Sequence, residues 1–211
     1  MKKSLLKKIL FPVLLTSFLC LFKGIRVSAA DYTSYIVVSG DSLWKISVKY
    51  QIELKEIIEA NPQIKNTDLI YPEEKINIPN IDTIKALENE IISLVNIERE
   101  NVGLPHLRTN WQLSKVARYK SQDMATKSYF SHISSTYGSP STMLQNFNIR
   151  SITTGENIAY GQRIPQQVMT SLMDSIDDRQ NILSNAYTEI GVGLYKSSSG
   201  VYYWTQLFIK P

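Results

Sequence analysis

The chain has 211 residues, with 23 Lys and Arg against 19 Asp and Glu and a formal net charge of +4. Six of the positives and none of the acids fall within residues 1–30, so the remainder carries 17 positives against 19 acids, a net of −2, which argues against a nucleic-acid partner. A 43% hydrophobic, 10% aromatic composition excludes wholesale disorder, and two histidines, His106 and His132, exclude any three-histidine metal site.

Residues 1–30 have the three parts of a secretory signal. Lys2, Lys3, Lys7 and Lys8 form a positive start. An apolar run over residues 9–22 is short for a bilayer span, and small Ser28, Ala29 and Ala30 follow, with cleavage expected after Ala29 or Ala30. Lys23 and Arg26 just past the apolar run leave an uncleaved anchor as the alternative. Bulky Phe18 and Leu19 ahead of Cys20 argue against a lipoprotein. Cys20 is the single cysteine, so the processed chain has none, which excludes disulfides, thiol nucleophiles and cysteine-ligated zinc. Export is the expectation, and a cysteine-free exported chain suits a Gram-positive envelope.

Residues 35–80 form a first compositional block. Tyr35-Ile36-Val37-Val38 reads as a strand, Ser39-Gly40-Asp41-Ser42 as a turn, and Asp41 or Ser42 as a helix cap. Leu43, Ile46 and Tyr50 mark one helical face, and Leu54, Ile57 and Ile58 mark a second helix that stops at Asn61-Pro62. Lys75-Ile76-Asn77-Ile78-Pro79 closes the block as a strand. The order β-α-α-β is compressed into about 45 residues, few for an independent core.

This block resembles a LysM domain. The resemblance is carried by Tyr35-Ile36-Val37, Gly40-Asp41-Ser42-Leu43-Trp44-Lys45-Ile46, Asn61-Pro62, Leu69-Ile70-Tyr71-Pro72 and Lys75-Ile76-Asn77-Ile78-Pro79. Glu73-Glu74 departs from it, because that family usually has Gly-Gln there. The resemblance implies binding of peptidoglycan or another glycan containing N-acetylglucosamine. The implied groove lies between residues 40–43 and 61–72, with Gly40, Asp41, Ser42, Leu43, Asn61, Pro62, Leu69, Ile70 and Tyr71 as candidate contacts. Leu69 and Ile70 as plain core residues are the alternative.

Asp82 is a candidate cap for the helix that opens the second block, residues 84–211. Ile84, Leu87, Ile91, Leu94 and Val95 form one helical stripe, and Leu113, Val116, Ala117 and Met124 another. Pro165 suits a first helical position ahead of Val168, Met169, Leu172 and Ile176. Ile190, Val192 and Leu194 alternate with Gly191 and Gly193 in a strand over residues 188–196. A second strand over residues 201–209 is apolar on both faces, so it needs cover on both sides. Ser197-Ser198-Ser199-Gly200 reads as the hairpin turn between them. The expected class is α+β, with a three-layer α-β-α sandwich after the small first domain.

The familiar catalytic strings H-E-x-x-H, G-x-S-x-G and the P-loop are absent, and Gly191-Val192-Gly193 is not followed by a helix, so it is not a dinucleotide fingerprint. What remains is a sparse polar set: Ser131-His132, Gly155-Glu156-Asn157, Asp174, Asp177, Asp178 and Glu189. Asp177 and Asp178 also suit the first turn of a short helix, where the helix dipole favours acids.

In their order these strings resemble the CAP superfamily, the cysteine-rich secretory, antigen-5 and pathogenesis-related proteins. The carriers are Leu94-Val95-Asn96, Glu98-Arg99, Ser121-Gln122-Asp123-Met124, Tyr129-Phe130-Ser131-His132, Gly155-Glu156-Asn157-Ile158-Ala159, Arg179-Gln180-Asn181-Ile182-Leu183, Ile190-Gly191-Val192-Gly193 and Tyr203-Trp204-Thr205-Gln206-Leu207-Phe208. That family's cleft pairs histidines with glutamates and in some members binds a divalent metal. The resemblance implies a candidate cleft of His132, Glu156, Asp178 and Glu189, with His132 and Glu156 as candidate ligands of a divalent metal. Asp178 stands where the bacterial branch has its second histidine. One imidazole among carboxylates suits zinc poorly and harder ions better. A hydrogen-bonded cleft without metal is the competing reading.

Two functions follow. The first is a secreted, wall-associated protein that binds peptidoglycan through the LysM block and presents a CAP domain in a binding or structural role. The spore envelope is one setting, with a wall or spore-envelope protein as partner. The alternative is a metal-dependent hydrolase of peptide or wall substrate, with Glu156 as general base.

Overall fold

The computed structural model describes residues 32–211. The predicted signal, its cleavage site and Cys20 lie outside the described residues.

The first domain contains β1 (Tyr32–Ile36), α1 (Leu43–Tyr50), α2 (Leu54–Ala60) and β2 (Lys75–Pro79). β1 and β2 pair antiparallel, with Tyr35 opposite Ile76. Ser42 is the cap of α1, its hydroxyl accepting from the Lys45 amide at 3.2 Å. Val37, Leu43, Ile46, Ile52, Ile57, Ile76 and Ile78 form the core. Asn61 is buried and acts as a piece of backbone. Its amide donates to the Ile57 and Asn77 carbonyls and its oxygen accepts from the Asn77 amide, each at 2.7 Å. Glu73, where the LysM resemblance expects glycine, has φ 70°, in the left-handed region that a Cβ disfavours.

Ile81, not the expected Asp82, occupies the cap position of the next helix, and Asp82 sits in its first turn. The sequence favoured Asp82 for its side-chain oxygen, yet Ile81 is buried in the first core, and that packing sets where the chain turns into the helix. Ile84, one turn on, packs against the cores of both domains.

The second domain contains α3 (Asp82–Asn101), β3 (Arg108–Thr109), α4 (Trp111–Thr126), α5 (Pro140–Asn146), β4 (Thr153–Tyr160), α6 (Pro165–Asp174), α7 (Ile176–Ile182), β5 (Glu189–Lys196) and β6 (Tyr202–Lys210). The sheet order is β3-β5-β6-β4, with β3 parallel to β5 and the other pairs antiparallel. β6 is two-faced, as its composition requires. Trp204 and Phe208 pack with α3, α6 and α7, while Leu207 and Ile209 pack with α4 and α5. The expected sandwich forms, with α5, β3 and β4 added to the elements read from sequence.

Gly193 explains the close approach of α4 to the sheet. A Cβ added there would overlap the backbone of Ala117 and Arg118. Because β3 covers only the start of β5, the later β5 amides on that edge, opposite to β6, face no strand. Val192 donates to the Ser114 hydroxyl at 3.1 Å and Leu194 to the Glu88 carboxylate at 3.0 Å. Glu88 also holds Arg118 through two bonds, of 2.7 and 2.5 Å.

Arg118 reaches the first domain as well, donating to the Gln51 carbonyl at 3.4 Å. Lys85 donates to the Tyr50 carbonyl at 2.6 Å, Lys115 pairs with Glu53 at 3.5 Å, and the Tyr119 hydroxyl donates to Glu53. Gly193→Ala should therefore cost about 3 kcal/mol or more, since backbone cannot give way as a side chain can. Chemical denaturation checks it, and a change within experimental error would show that α4 has room to move.

Candidate functional sites

The clearest polar site sits where β4 meets the loop after α4. β4 pairs with β6 so that Glu156 lies opposite Leu207, on the α4 face of the sheet. Gly155 precedes it because a side chain there would strike the Tyr187 ring and the Asn181 side chain. Asn181 donates to the Glu156 carbonyl at 3.2 Å and to the Asn157 side-chain oxygen at 2.8 Å. Asn157 in turn donates to the Asp178 carbonyl at 3.0 Å. The Gly-Glu-Asn and Arg-Gln-Asn-Ile strings are thus two halves of one brace. Arg99 anchors its far end, donating to the Ile182 and Ser184 carbonyls at the C-terminus of α7, where a cation suits the exposed carbonyls.

His132 Nδ1 lies 2.8 Å from Glu156 Oε1. The Glu156 side chain is only 2% exposed, whereas that of His132 is 55% exposed. Lys120 is buried behind them, donating to the His132 carbonyl at 2.6 Å and standing 3.9 Å from Glu156 Oε1. Burial pulls its ammonium below the usual lysine range, against the attraction of Glu156 and Asp123. Asp123 accepts from Tyr129, Ser134 and Thr136 and so fixes the loop that carries His132. Burial and the bond to Asp123 push the Tyr129 hydroxyl up to about 12. The hydrogen bond that the His132 ring donates to Glu156 raises the imidazole above its ordinary value, with a smaller contribution from the charge of Asp178.

The four candidate cleft residues separate. His132 and Glu156 meet, and Asp178, in the first turn of α7, acts on His132 only through its charge. Glu189 takes no part. It pairs with Arg108 at 2.5 Å and accepts from Asn110 at 2.7 Å, at the start of α4. Its position beside the Ile-Gly-Val-Gly strand suggested the cleft, but Arg108 and Asn110 hold it at the far end of β5.

The donors present do not fit a divalent metal. Among the described residues no three His, Cys, Asp or Glu converge on a point. Glu156 Oε1 is already shared between an imidazole and an ammonium. Glu156 Oε2 is buried with no partner, which leaves one free oxygen and not a ligand set.

An aromatic series with its first two rings exposed runs along the same loop and strands, unrecognised in the sequence because its members come from three segments. Phe130 lies 4.7 Å from Tyr160, and Tyr160 lies 5.9 Å from Tyr203, centroid to centroid. Cross-strand pairing of Tyr160 with Tyr203 sets that spacing.

In the first domain the candidate glycan contacts also divide. Leu43 and Asn61 are buried, Leu43 in the core and Asn61 bracing β2. Ile70 is half-buried against the same core. Gly40, with φ 87°, and Pro62 are exposed, as are Leu69 at 48% and Tyr71 at 61%. Asp41 accepts from the Tyr35 hydroxyl at 2.7 Å and the Val38 amide at 3.0 Å, which hold its carboxyl below the usual range and shape the loop that presents Gly40. Ser42 is occupied as the cap.

Comparison with known proteins follows the same division. The family model described as the cysteine-rich secretory protein family, CAP, matches residues 92–208, and the LysM domain model matches residues 35–79. The uncharacterized protein YkwD of Bacillus subtilis is 47% identical over 127 residues, 60% of this chain and 48% of that protein, so the chain spans about half of that relative. SpoIVD-associated factor A of B. subtilis is 48% identical over 46 residues, 22% of this chain and 12% of that protein. An extracellular protein of Bacillus anthracis containing an SCP domain, solved by crystallography, has 32% identity and a TM-score of 0.56, covering 66% of this chain and 47% of that one.

The His132–Glu156 pair makes a pH prediction. With the folded pKa raised above the unfolded one, the stabilisation is complete below the unfolded pKa and is lost as pH rises through the folded one. NMR titration should place the His132 imidazole above the ordinary histidine value, and Glu156→Gln should lower it. An unchanged titration in that variant would contradict the pairing.

Proposed function

This chain belongs to the cysteine-rich secretory protein family and carries a LysM domain ahead of its CAP domain, and from that premise we propose that it is an exported wall protein held on peptidoglycan by the first domain. The observation that carries this reading is the pair of exposed side chains Leu69 and Tyr71 on the loop before β2, with the Gly40 turn exposed as well. Apolar side chains about half exposed on so small a domain suit the faces of sugar rings. The mature charge of −2 gives bulk electrostatics no part in choosing the partner.

The CAP domain then acts as a binding element. Its cleft is a histidine–carboxylate pair backed by Lys120, with the Phe130, Tyr160 and Tyr203 rings in series on the loop and strands that carry it. Such a set can present one hydrogen-bonding group, the outer nitrogen of His132, beside an apolar wall. Similarity of the LysM segment to the spore coat assembly protein ExsA of Bacillus cereus, 44% identical over 46 residues and 7% of that protein, supports the spore envelope as the setting. One observation favours the hydrolase reading, the unpartnered Glu156 Oε2, which could take a proton from a bound water.

Co-sedimentation of residues 31–211 with insoluble peptidoglycan tests the first claim. The intact chain should pellet, and Tyr71→Ala combined with Leu69→Ala should weaken binding about tenfold or more without unfolding the protein. Recovery of the intact chain in the supernatant would overturn the reading. For the second, Glu156→Gln should leave wall-digest products unchanged, and their loss in that variant would favour the hydrolase.

A further inference from the structure

A second groove lies between the two domains, and we propose that it is a saccharide subsite that continues the glycan path from the LysM domain onto the CAP domain; the proposal rests on the glycan reading above. Trp44 and Val48 of α1 form one wall. Trp111, Gln112 and Lys115 from the first turns of α4 form the other, with Asn148 at one end, around a cavity of about 210 Å³. That volume suits about one sugar ring at a time and is below the range of drug-sized pockets.

Trp44 is 62% exposed, an expensive position for a large apolar side chain that the core does not use. It lies in the first turn of α1, just past the 40–42 turn that leads into that helix, so the groove begins next to that turn in the chain. Trp111 faces the same groove from the other domain because Asn110 caps α4, its side chain accepting from the Gln112 and Leu113 amides. The groove's one cation, Lys115, is answered by Glu53 at 3.5 Å, so the site carries no free charge. Two indoles, two side-chain amides and electrical neutrality select a neutral, hydroxyl- and acetamido-bearing ring over an acidic peptide or a nucleic acid.

The domain contacts keep the walls in place. Glu53 binds Lys115 and Tyr119, and Tyr119 stacks on Phe147, which lines the groove beside Asn148, with centroids 5.0 Å apart. Neither domain holds the subsite alone.

Tryptophan emission of residues 31–211 is the direct readout. The chain has three tryptophans, and the third, Trp204, is buried, so Trp44 and Trp111 report the groove. Titration with the hexasaccharide of N-acetylglucosamine should change the emission, and calorimetry should show it binding about tenfold more tightly than the disaccharide. Trp111→Ala, and separately Gln112→Ala, should remove that length preference while leaving disaccharide affinity intact. A hexasaccharide affinity unchanged in both variants would overturn the subsite and leave the LysM reading standing. Absence of any binding by the unmutated chain would overturn both. An emission change with an apolar hexapeptide but not with either saccharide would replace the sugar by a peptide and overturn the proposal.

Discussion

The amide of Leu194 is bonded to the carboxylate of Glu88, which sits on α3 and holds Arg118 of α4 with both oxygens. The arrangement exists because β3 is only two residues long and leaves the edge of β5 that faces away from β6 without a neighbouring strand over its middle. A buried strand edge needs its donors satisfied, and here a buried ion pair does so from the two helical layers at once. Gly193 lets α4 come near enough for Arg118 to reach Glu88. Breaking one partner of such a pair commonly costs about 3–5 kcal/mol, because it strands the other charge.

That same Arg118 touches Gln51, and its helix neighbours Lys115 and Tyr119 touch Glu53. The face of α4 that closes the sandwich is continuous with the face that receives the LysM domain. A domain of this size has too little apolar surface to be firmly stable by itself. Packing of Ile84 into both cores and hydrogen bonds onto Tyr50 and Gln51 give it a second source of support. The consequence for function is geometric: sugar contacts on the first domain and aromatic contacts on the second have a defined relative position.

Much of this was legible in the sequence where local and global signals agree. Ser42 capping α1, Pro165 opening α6 and the two-faced β6 all combine a turn or cap signal with an apolar period. β4 was not, because its centre reads Gly155-Glu156-Asn157; polar side chains that face a site or a brace break the alternation that marks a strand. The His132–Glu156 meeting was legible only through family resemblance, since 24 residues separate the partners. Lys120 was invisible as a site residue: an ordinary helical lysine in sequence, it is buried by a loop whose path depends on Asp123. Glu189 misled for the converse reason, as Arg108 and Asn110 reach it only through the short β3 pairing.

The account depends on the two domains holding one orientation. A chain starting at residue 31 has no cysteine, so Lys65→Cys and Thr170→Cys give two unique, exposed spin-label sites, one on each domain. Pulsed electron resonance should give one narrow distance distribution, unchanged by salt and broadened when Glu53→Ala and Tyr119→Phe are introduced together. A broad distribution in the parent chain would mean that the domains move independently, and would contradict the account.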